Sequence, residues 1–177
     1  MIRCSQPVST PPAVFQTPLE ESVYAALARL EIPFTRIDND PALTMEDCTA
    51  VDAALSVKTV KTLLLCNRQQ TDFYLYVTPG DKPFVTKDFG KALGISRVSF
   101  APQDRLVPML GTVLGATTIF STLRAAPGSF RLVMDRAVAE SEWYGGTDGT
   151  TTCYLRIATR DLLERFLPTV PFPLTLI

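Results

Sequence analysis

The stretch of this sequence best suited to chemistry is residues 57–66, in which Lys58 and Lys61 precede the continuous apolar run 63–66. A short continuous apolar run is typical of a strand that is buried on both faces. Lys61 would then place a cation at the rim of a hydrophobic core, where an anionic or carbonyl-bearing ligand could contact it. The pattern alone also fits an ordinary lysine whose stem covers apolar surface and whose ammonium group lies in water.

A second stretch, residues 145–152, consists only of glycine, threonine and aspartate. Its default interpretation is a flexible loop. Asp148 is the one carboxylate in it and could orient a water molecule or an ammonium group. The preceding Trp143 and Tyr144 are expected to pack in the core or at its rim rather than to stack on nucleic-acid bases.

The composition restricts the available chemistry. The chain has no histidine, which excludes Ser-His-Asp and Cys-His pairs, histidine-ligated metals and imidazole acid–base catalysis. Its four cysteines are scattered without a C-x-x-C pair, so we predict no zinc site and no disulfide framework. Cys66 and Cys153 are expected to be buried thiols that lack a base partner and are not nucleophiles. We expect neither a metal nor a cofactor.

Charge and hydropathy favour a cytoplasmic protein. The net charge is −1 and there is no polybasic tract, which disfavours a large nonspecific nucleic-acid surface but leaves room for a small basic patch. No apolar run approaches the ~20 residues that span a bilayer, so no membrane partner is expected. Residues 1–17 lack the apolar centre of a signal peptide.

The periodicity predicts one domain of the α+β class, with a mixed, mostly antiparallel sheet flanked by helices. We divide the chain into a mobile, proline-rich leader (1–17), the domain (18–167) and an extended tail (168–177). Thr17 is expected to cap a first helix that begins at Pro18 and ends near Glu31. Thr44 is expected to cap a second helix that buries Met45. The predicted strands are 32–37, the Lys61 strand with its apolar run 63–66, an antiparallel return strand at 72–78, and 95–100, 130–134 and 153–157. Short helices are predicted at 86–93 and 102–110, a shaped loop at 112–121, and a last helix to 167.

Six segments, in this order, resemble motifs of the YbaK/ProX family of aminoacyl-tRNA editing domains, in particular its free-standing members that act on mischarged tRNA-Pro. The resemblance covers roughly residues 20–167, and it is the order of the segments that makes it specific. The segments are DPALTMED (40–47), VKTLLL (60–65), RQQTDFYL (68–75), PGDKPF (79–84), RVSFA (97–101) and LGTVLGA (110–116).

The resemblance implies a hydrolase that cleaves the ester joining a wrong amino acid, often alanine, to tRNA-Pro. In the family, the lysine matching Lys61 contacts the substrate near the acyl ester or terminal adenosine. The glycine matching Gly115 offers backbone polar groups beside the scissile carbonyl. The substrate's own ribose hydroxyl helps to activate water, which suits a chain without histidine. The implied partners are the acceptor end of aminoacyl-tRNA and, as a further option, a synthetase.

The sequence departs from the family pattern at the residues expected to bind substrate. The family's asparagine after the lysine is Thr62, which keeps a donor and an acceptor but loses the amide's second donor. The family's late motif with a histidine and an asparagine aligns with Thr147 and Thr151. The resemblance places residues 145–152 over the expected pocket, where they could form a lid or an acyl-recognition loop. The expected substrate-binding residues are Thr62, Ala116, Thr117, Thr118, Thr147, Asp148 and Thr151, beside the catalytic pair Lys61 and Gly115. These departures leave three alternatives: an editing hydrolase of altered specificity, a non-catalytic module that binds the aminoacyl-tRNA end, and a hydrolase of small acyl esters unrelated to tRNA.

Overall fold

The structure, a computed structural model, describes residues 2–177 and contains six helices and eight strands in that range. The helices are α1 (Pro18–Arg29), α2 (Cys48–Leu55), α3 (Thr86–Leu93), α4 (Leu106–Leu110), α5 (Arg136–Ala139) and α6 (Thr159–Asp161). The strands are β1 (Phe34–Asp38), β2 (Val60–Cys66), β3 (Phe73–Pro79), β4 (Ser99–Phe100), β5 (Arg131–Met134), β6 (Trp143–Thr147), β7 (Cys153–Ala158) and β8 (Leu174–Leu176). Short 3₁₀ turns cover Gln103–Arg105, Ile119–Leu123 and Leu167–Thr169, and one π-helical turn (Leu162–Phe166) continues α6.

The strands form two sheets. One has three antiparallel strands in the order β1-β7-β6, and the other has five strands in the order β4-β2-β3-β5-β8. β4, β2 and β3 are antiparallel neighbours, whereas β3, β5 and β8 run parallel. The predicted α+β class with mixed, mostly antiparallel pairing is confirmed, although the strands divide into two hydrogen-bonded sheets.

A gap separates the two sheets beside the first half of β2. β4 pairs with β2 only at Leu65 and Cys66. β6 meets the start of this strand through a single bridge between Thr59 and Gly145. Residues 60–63 therefore border an opening between the sheets, and that opening contains the candidate site.

α1 forms as the sequence predicts and covers the main core. Thr17 accepts a hydrogen bond from the backbone N–H of Glu20 at 3.0 Å, and Pro18 occupies the first turn. The apolar stripe that includes Val23 and Leu27 is buried. The helix ends at Arg29, shortly before Glu31, which has a positive φ of 52°.

Two predicted elements need correction. α2 begins at Cys48 instead of near Thr44. Thr44 and Asp47 do exchange the hydrogen bonds of a capping pair, but these bonds close a turn that precedes the helix, and Met45 on that turn is 38% exposed instead of buried. Residues 145–147 belong to strand β6 instead of a loop, since they pair with β7. Gly145 is required there because a Cβ atom would lie 2.5 Å from Val57 Cγ1.

Both terminal segments lie against the sheets. Val8 exchanges backbone hydrogen bonds of 2.9 and 2.8 Å with Arg36 of β1, and Ser5 N–H donates to the Asp38 carbonyl at 2.8 Å. The C-terminal segment contributes β8, which pairs with β5. The division at 17/18 and 167/168 stays a prediction. Within residues 2–177, no helix combines the length and the apolar character needed to cross a membrane.

Candidate active site

A cavity of about 200 Å³ opens in the gap between the two sheets. Four separate segments supply its walls: the turn before α2, the first half of β2, the loop after α4, and the ends of β6 and β7 that face each other. The lining residues are Ala42, Leu43, Thr44, Met45, Cys48, Val60, Lys61, Thr62, Leu63, Leu114, Gly115, Thr117, Thr147 and Tyr154.

Lys61 supplies the only charged side chain of that lining. It lies on β2 opposite Thr78 of β3, and its Nζ donates a hydrogen bond to the backbone carbonyl of Lys82. Burial lowers the pKa of Lys61, and the carboxylate of Asp81 opposes part of that change. One of the three N–H bonds of the ammonium group is thus engaged, which leaves two for a ligand.

Gly115 shapes the opposite wall. Its φ of +86° lies in the left-handed region that favours glycine, and an added Cβ would lie 3.4 Å from Leu43 Cδ2 and 3.5 Å from the Ala42 carbonyl oxygen. The loop is closed by a 3.0 Å hydrogen bond from Ala116 N–H to the Val113 carbonyl. The glycine therefore lets the loop fold closely onto the segment before α2.

Five of the nine predicted site residues meet at this cavity: Lys61, Thr62, Gly115, Thr117 and Thr147. The hydroxyl of Thr147 donates to the Thr150 carbonyl and accepts from Gly149 N–H at 3.1 Å, so it is engaged in its own turn.

The other four, Ala116, Thr118, Asp148 and Thr151, lie outside the lining and support it from behind. Thr118 Oγ1 donates to the Thr147 carbonyl at 2.8 Å, and the Thr151 carbonyl accepts from Ala42 N–H at 2.8 Å. Asp148 is fully buried on the side of α1, where it accepts hydrogen bonds from Tyr24 and Thr150. This position does not fit the expected contact of Asp148 with substrate.

Residues 39–164 match the Aminoacyl-tRNA editing domain family. The chain belongs to the aminoacyl-tRNA editing domain family. It is 30% identical over 117 residues to the Prolyl-tRNA editing protein ProX of Acetoanaerobium sticklandii, an alignment that covers 66% of this chain and 71% of the relative.

Solved structures share the fold of this editing domain. The crystal structure of a hypothetical protein, APE2540, has a TM-score of 0.66 at 21% identity and covers 82% of this chain and 93% of that chain. A candidate trans-editing enzyme for prolyl tRNA synthetase has a TM-score of 0.66 at 14% identity, with 91% of this chain and 97% of that chain covered. At these identities the likeness concerns the fold alone.

Sequence reasoning missed Cys48 and Tyr154 as lining residues of the editing domain. The Cys48 thiol donates to the Tyr154 hydroxyl at 3.5 Å, which joins the first residue of α2 to β7. Burial raises the pKa of both groups, so both are uncharged at neutral pH. Their separation of 106 positions gives no local signal, because only the packing of α2 on β7 brings them together.

The lining can bind and polarise an ester, but it holds no carboxylate among its described residues. Lys61 can attract a carbonyl or phosphate oxygen, and the threonine hydroxyls can donate or accept hydrogen bonds. A larger cavity of about 520 Å³ lies on the other side of Met45, but none of the nine predicted site residues lines it. Among residues 2–177, no group of three or more Cys, Asp or Glu is arranged to hold a metal ion.

Proposed function

We propose that this editing domain is a trans-editing deacylase that hydrolyses the ester between a small amino acid, alanine first, and tRNA-Pro. The observation that carries the proposal is that Lys61 and Gly115, 54 positions apart in sequence, line one small cavity. Membership of the family and the similarity to a prolyl-tRNA editing protein support the substrate class.

The size of the cavity favours a small acyl group. A volume of about 200 Å³ is smaller than the ~300–1,000 Å³ of pockets for drug-sized ligands. Apolar side chains, among them Leu63 and Leu114, form much of the wall. The cavity therefore suits a short apolar side chain, while the nucleotide stays outside.

The chemistry we propose is hydrolysis assisted by the substrate. Lys61 holds an oxygen of the substrate at the rim, and backbone groups of the loop around Gly115 stabilise negative charge on the scissile carbonyl. The terminal ribose hydroxyl of the tRNA helps to activate the attacking water, since the lining offers no carboxylate base. Because an aminoacyl ester is already reactive, positioning it in a near-attack pose supplies much of the acceleration.

The encounter with tRNA would be weak and would take place in the cytoplasm. A net charge of −1 provides little general attraction for a polyanion, so the acceptor end is held by local contacts or delivered by a synthetase.

A binding module without hydrolysis is the second candidate. The engaged hydroxyl of Thr147 and the absence of a carboxylate in the lining favour it. Such a module would hold the aminoacyl end in the same cavity without cleaving it.

One deacylation panel separates the two candidates. tRNA-Pro charged with Ala, Ser, Cys, Thr or Pro is incubated with the protein, and the release of each amino acid is followed over time. Enzyme-dependent release of a small amino acid, with Pro retained, supports the deacylase. Protection of one ester below its spontaneous hydrolysis rate supports the binding module and overturns hydrolysis.

A further inference from the structure

Lys82 connects the candidate site to a buried carboxylate at the end of β5, two strands away from β2 in the same sheet. Its backbone carbonyl accepts the hydrogen bond from Lys61 Nζ, and its own Nζ forms an ion pair with Asp135 Oδ2 at 2.5 Å. Neither Lys82 nor Asp135 lines the cavity. The backbone carbonyl and the side chain of Lys82 thus connect the ammonium group of Lys61 to the carboxylate of Asp135.

Asp135 is a rigid anchor at the end of β5. It is 4% exposed, and its Oδ1 accepts from Ala137 N–H at 2.9 Å at the start of α5. Its Oδ2 also accepts from the Tyr76 hydroxyl at 3.2 Å, and its backbone N–H donates to the Val77 carbonyl at 2.9 Å. Burial alone would raise the pKa of Asp135, but the hydrogen bonds from Lys82 and Ala137 outweigh it, so the pKa is lowered and the group stays charged.

The turn that carries Lys82 is packed tightly against the start of β2. Gly80 N–H donates to the Thr59 carbonyl at 3.1 Å, and a Cβ at Gly80 would lie only 2.4 Å from Met45 Cε. Lys82 N–H closes the turn by donating to the Pro79 carbonyl at 3.1 Å. The turn therefore contacts both Lys61 and Met45, two members of the cavity lining.

We propose that Lys82 and Asp135 are positioning residues that fix the turn at 79–82 so that its carbonyl orients the ammonium group of Lys61 toward the substrate. Without the ion pair, the turn keeps its backbone bonds at Gly80 but loses its tie to β5, and Lys61 loses a fixed acceptor. This inference rests on the proposed function for its catalytic consequence. Its structural part, the orientation of Lys61, can be measured without any substrate.

The test compares Lys82→Met, which removes the charge and keeps most of the stem, with the conservative variant Lys82→Arg. Single-turnover deacylation of Ala-tRNA-Pro gives the rate at saturation and the half-saturating protein concentration. A misplacement of about 1 Å can cost ~100-fold in rate, so we expect Lys82→Met to slow the step about 10- to 100-fold with little change in half-saturation. Lys82→Arg should restore most of the rate. Asp135→Asn should slow the step as much as Lys82→Met does. If Asp135→Asn impairs folding because Asp135 is buried, the variants of the exposed Lys82 still provide the test.

The second readout is the pKa of Lys61, measured by NMR on protein with ¹³Cε-labelled lysine. Burial lowers this pKa, and Asp81 is the carboxylate that opposes it, so a released Lys61 that moves into water should show a pKa closer to its ordinary value. Two results for Lys82→Met would overturn the proposal. One is an unchanged deacylation rate, and the other is a slower rate that is accompanied by a lower melting temperature while the pKa of Lys61 stays unchanged. If the wild type deacylates nothing, the proposed function fails, and the Lys61 pKa in Lys82→Met alone decides the positioning role.

Discussion

The hydroxyl of Tyr24 in α1 donates a hydrogen bond to Asp148 Oδ2 at 2.9 Å, which joins residues 124 positions apart. Thr150 donates to the other carboxylate oxygen through its backbone N–H at 3.1 Å and its hydroxyl at 2.8 Å. Burial raises the pKa of Asp148 and also of the neighbouring Glu20. This buried cluster ties α1 to the turn directly after Thr147, at the back of the candidate site.

The raised pKa of Asp148 makes stability depend on pH. The pKa of Asp148 in the folded protein lies above its pKa of ~3.9 in the unfolded chain. The contribution of Asp148 to the free energy of unfolding is therefore complete below about pH 4 and is lost as the pH rises through the folded-state pKa. Asp148→Asn removes this titration and keeps an acceptor for Thr150. Urea titrations give the free energy of unfolding of both proteins at each pH. We expect the value for the variant minus the value for the wild type to increase from pH 4 to pH 8. Exposed Asp104→Asn is the control, and a flat or falling difference would show that Asp148 does not titrate as described.

Gly115→Ala tests the backbone of the cavity wall. The φ of +86° would strain an alanine by about 1–2 kcal/mol, whereas its Cβ would lie in ordinary contact with Leu43 at 3.4 Å. We expect a loss of that size in the free energy of unfolding and a strong fall in deacylation. Gly128→Ala is the matched control, because Gly128 has a similar φ of +76° with no atom within 4 Å of an added Cβ. Equal activity in the two variants would remove Gly115 from the site.

Met45→Ala tests whether the cavity wall sets specificity. Met45 lines both the cavity of about 200 Å³ and its larger neighbour of about 520 Å³, so its truncation should join them. Steric exclusion of proline should then weaken, and the preference for Ala over Pro on tRNA-Pro should fall at least about tenfold, the lower end of what one or two methylenes contribute. Exposed Val107→Ala is the control. An unchanged Ala-to-Pro ratio would mean that another wall excludes proline.

The local sequence was sufficient to predict α1, the β2–β3 pair and the residues that match family motifs. Thr17 and Pro18 mark a helix start by their own chemistry, and the motif at Lys61 lies on β2 as expected. The strand at Gly145 could not be predicted, because glycine has low strand propensity and is needed there only by the close approach of Val57, a tertiary contact. The loop predicted for Asp148 is present, since Asp148 lies between the end of β6 and the start of β7. Only the packing of α1 shows why its carboxylate is buried.

The candidate site could be predicted only in part, for the same physical reason. Lys61 and Gly115 belong to motifs that are recognisable along the chain. Met45, Cys48 and Tyr154 complete the lining through the packing of the α2 turn against β7 and the turn at Gly80, and no local pattern encodes those contacts.

The most direct test of the proposed function compares Lys61→Ala with Lys58→Ala in single-turnover deacylation of Ala-tRNA-Pro. Lys58 is the matched control, since it lies three positions earlier, carries the same charge and lines only the neighbouring cavity. We expect Lys61→Ala to abolish release and Lys58→Ala to retain it, with both melting temperatures within a few degrees of wild type because neither lysine is deeply buried. Equal rates in the two variants, or loss of folding in Lys61→Ala alone, would contradict the assignment of Lys61 as the cation that acts on the ester.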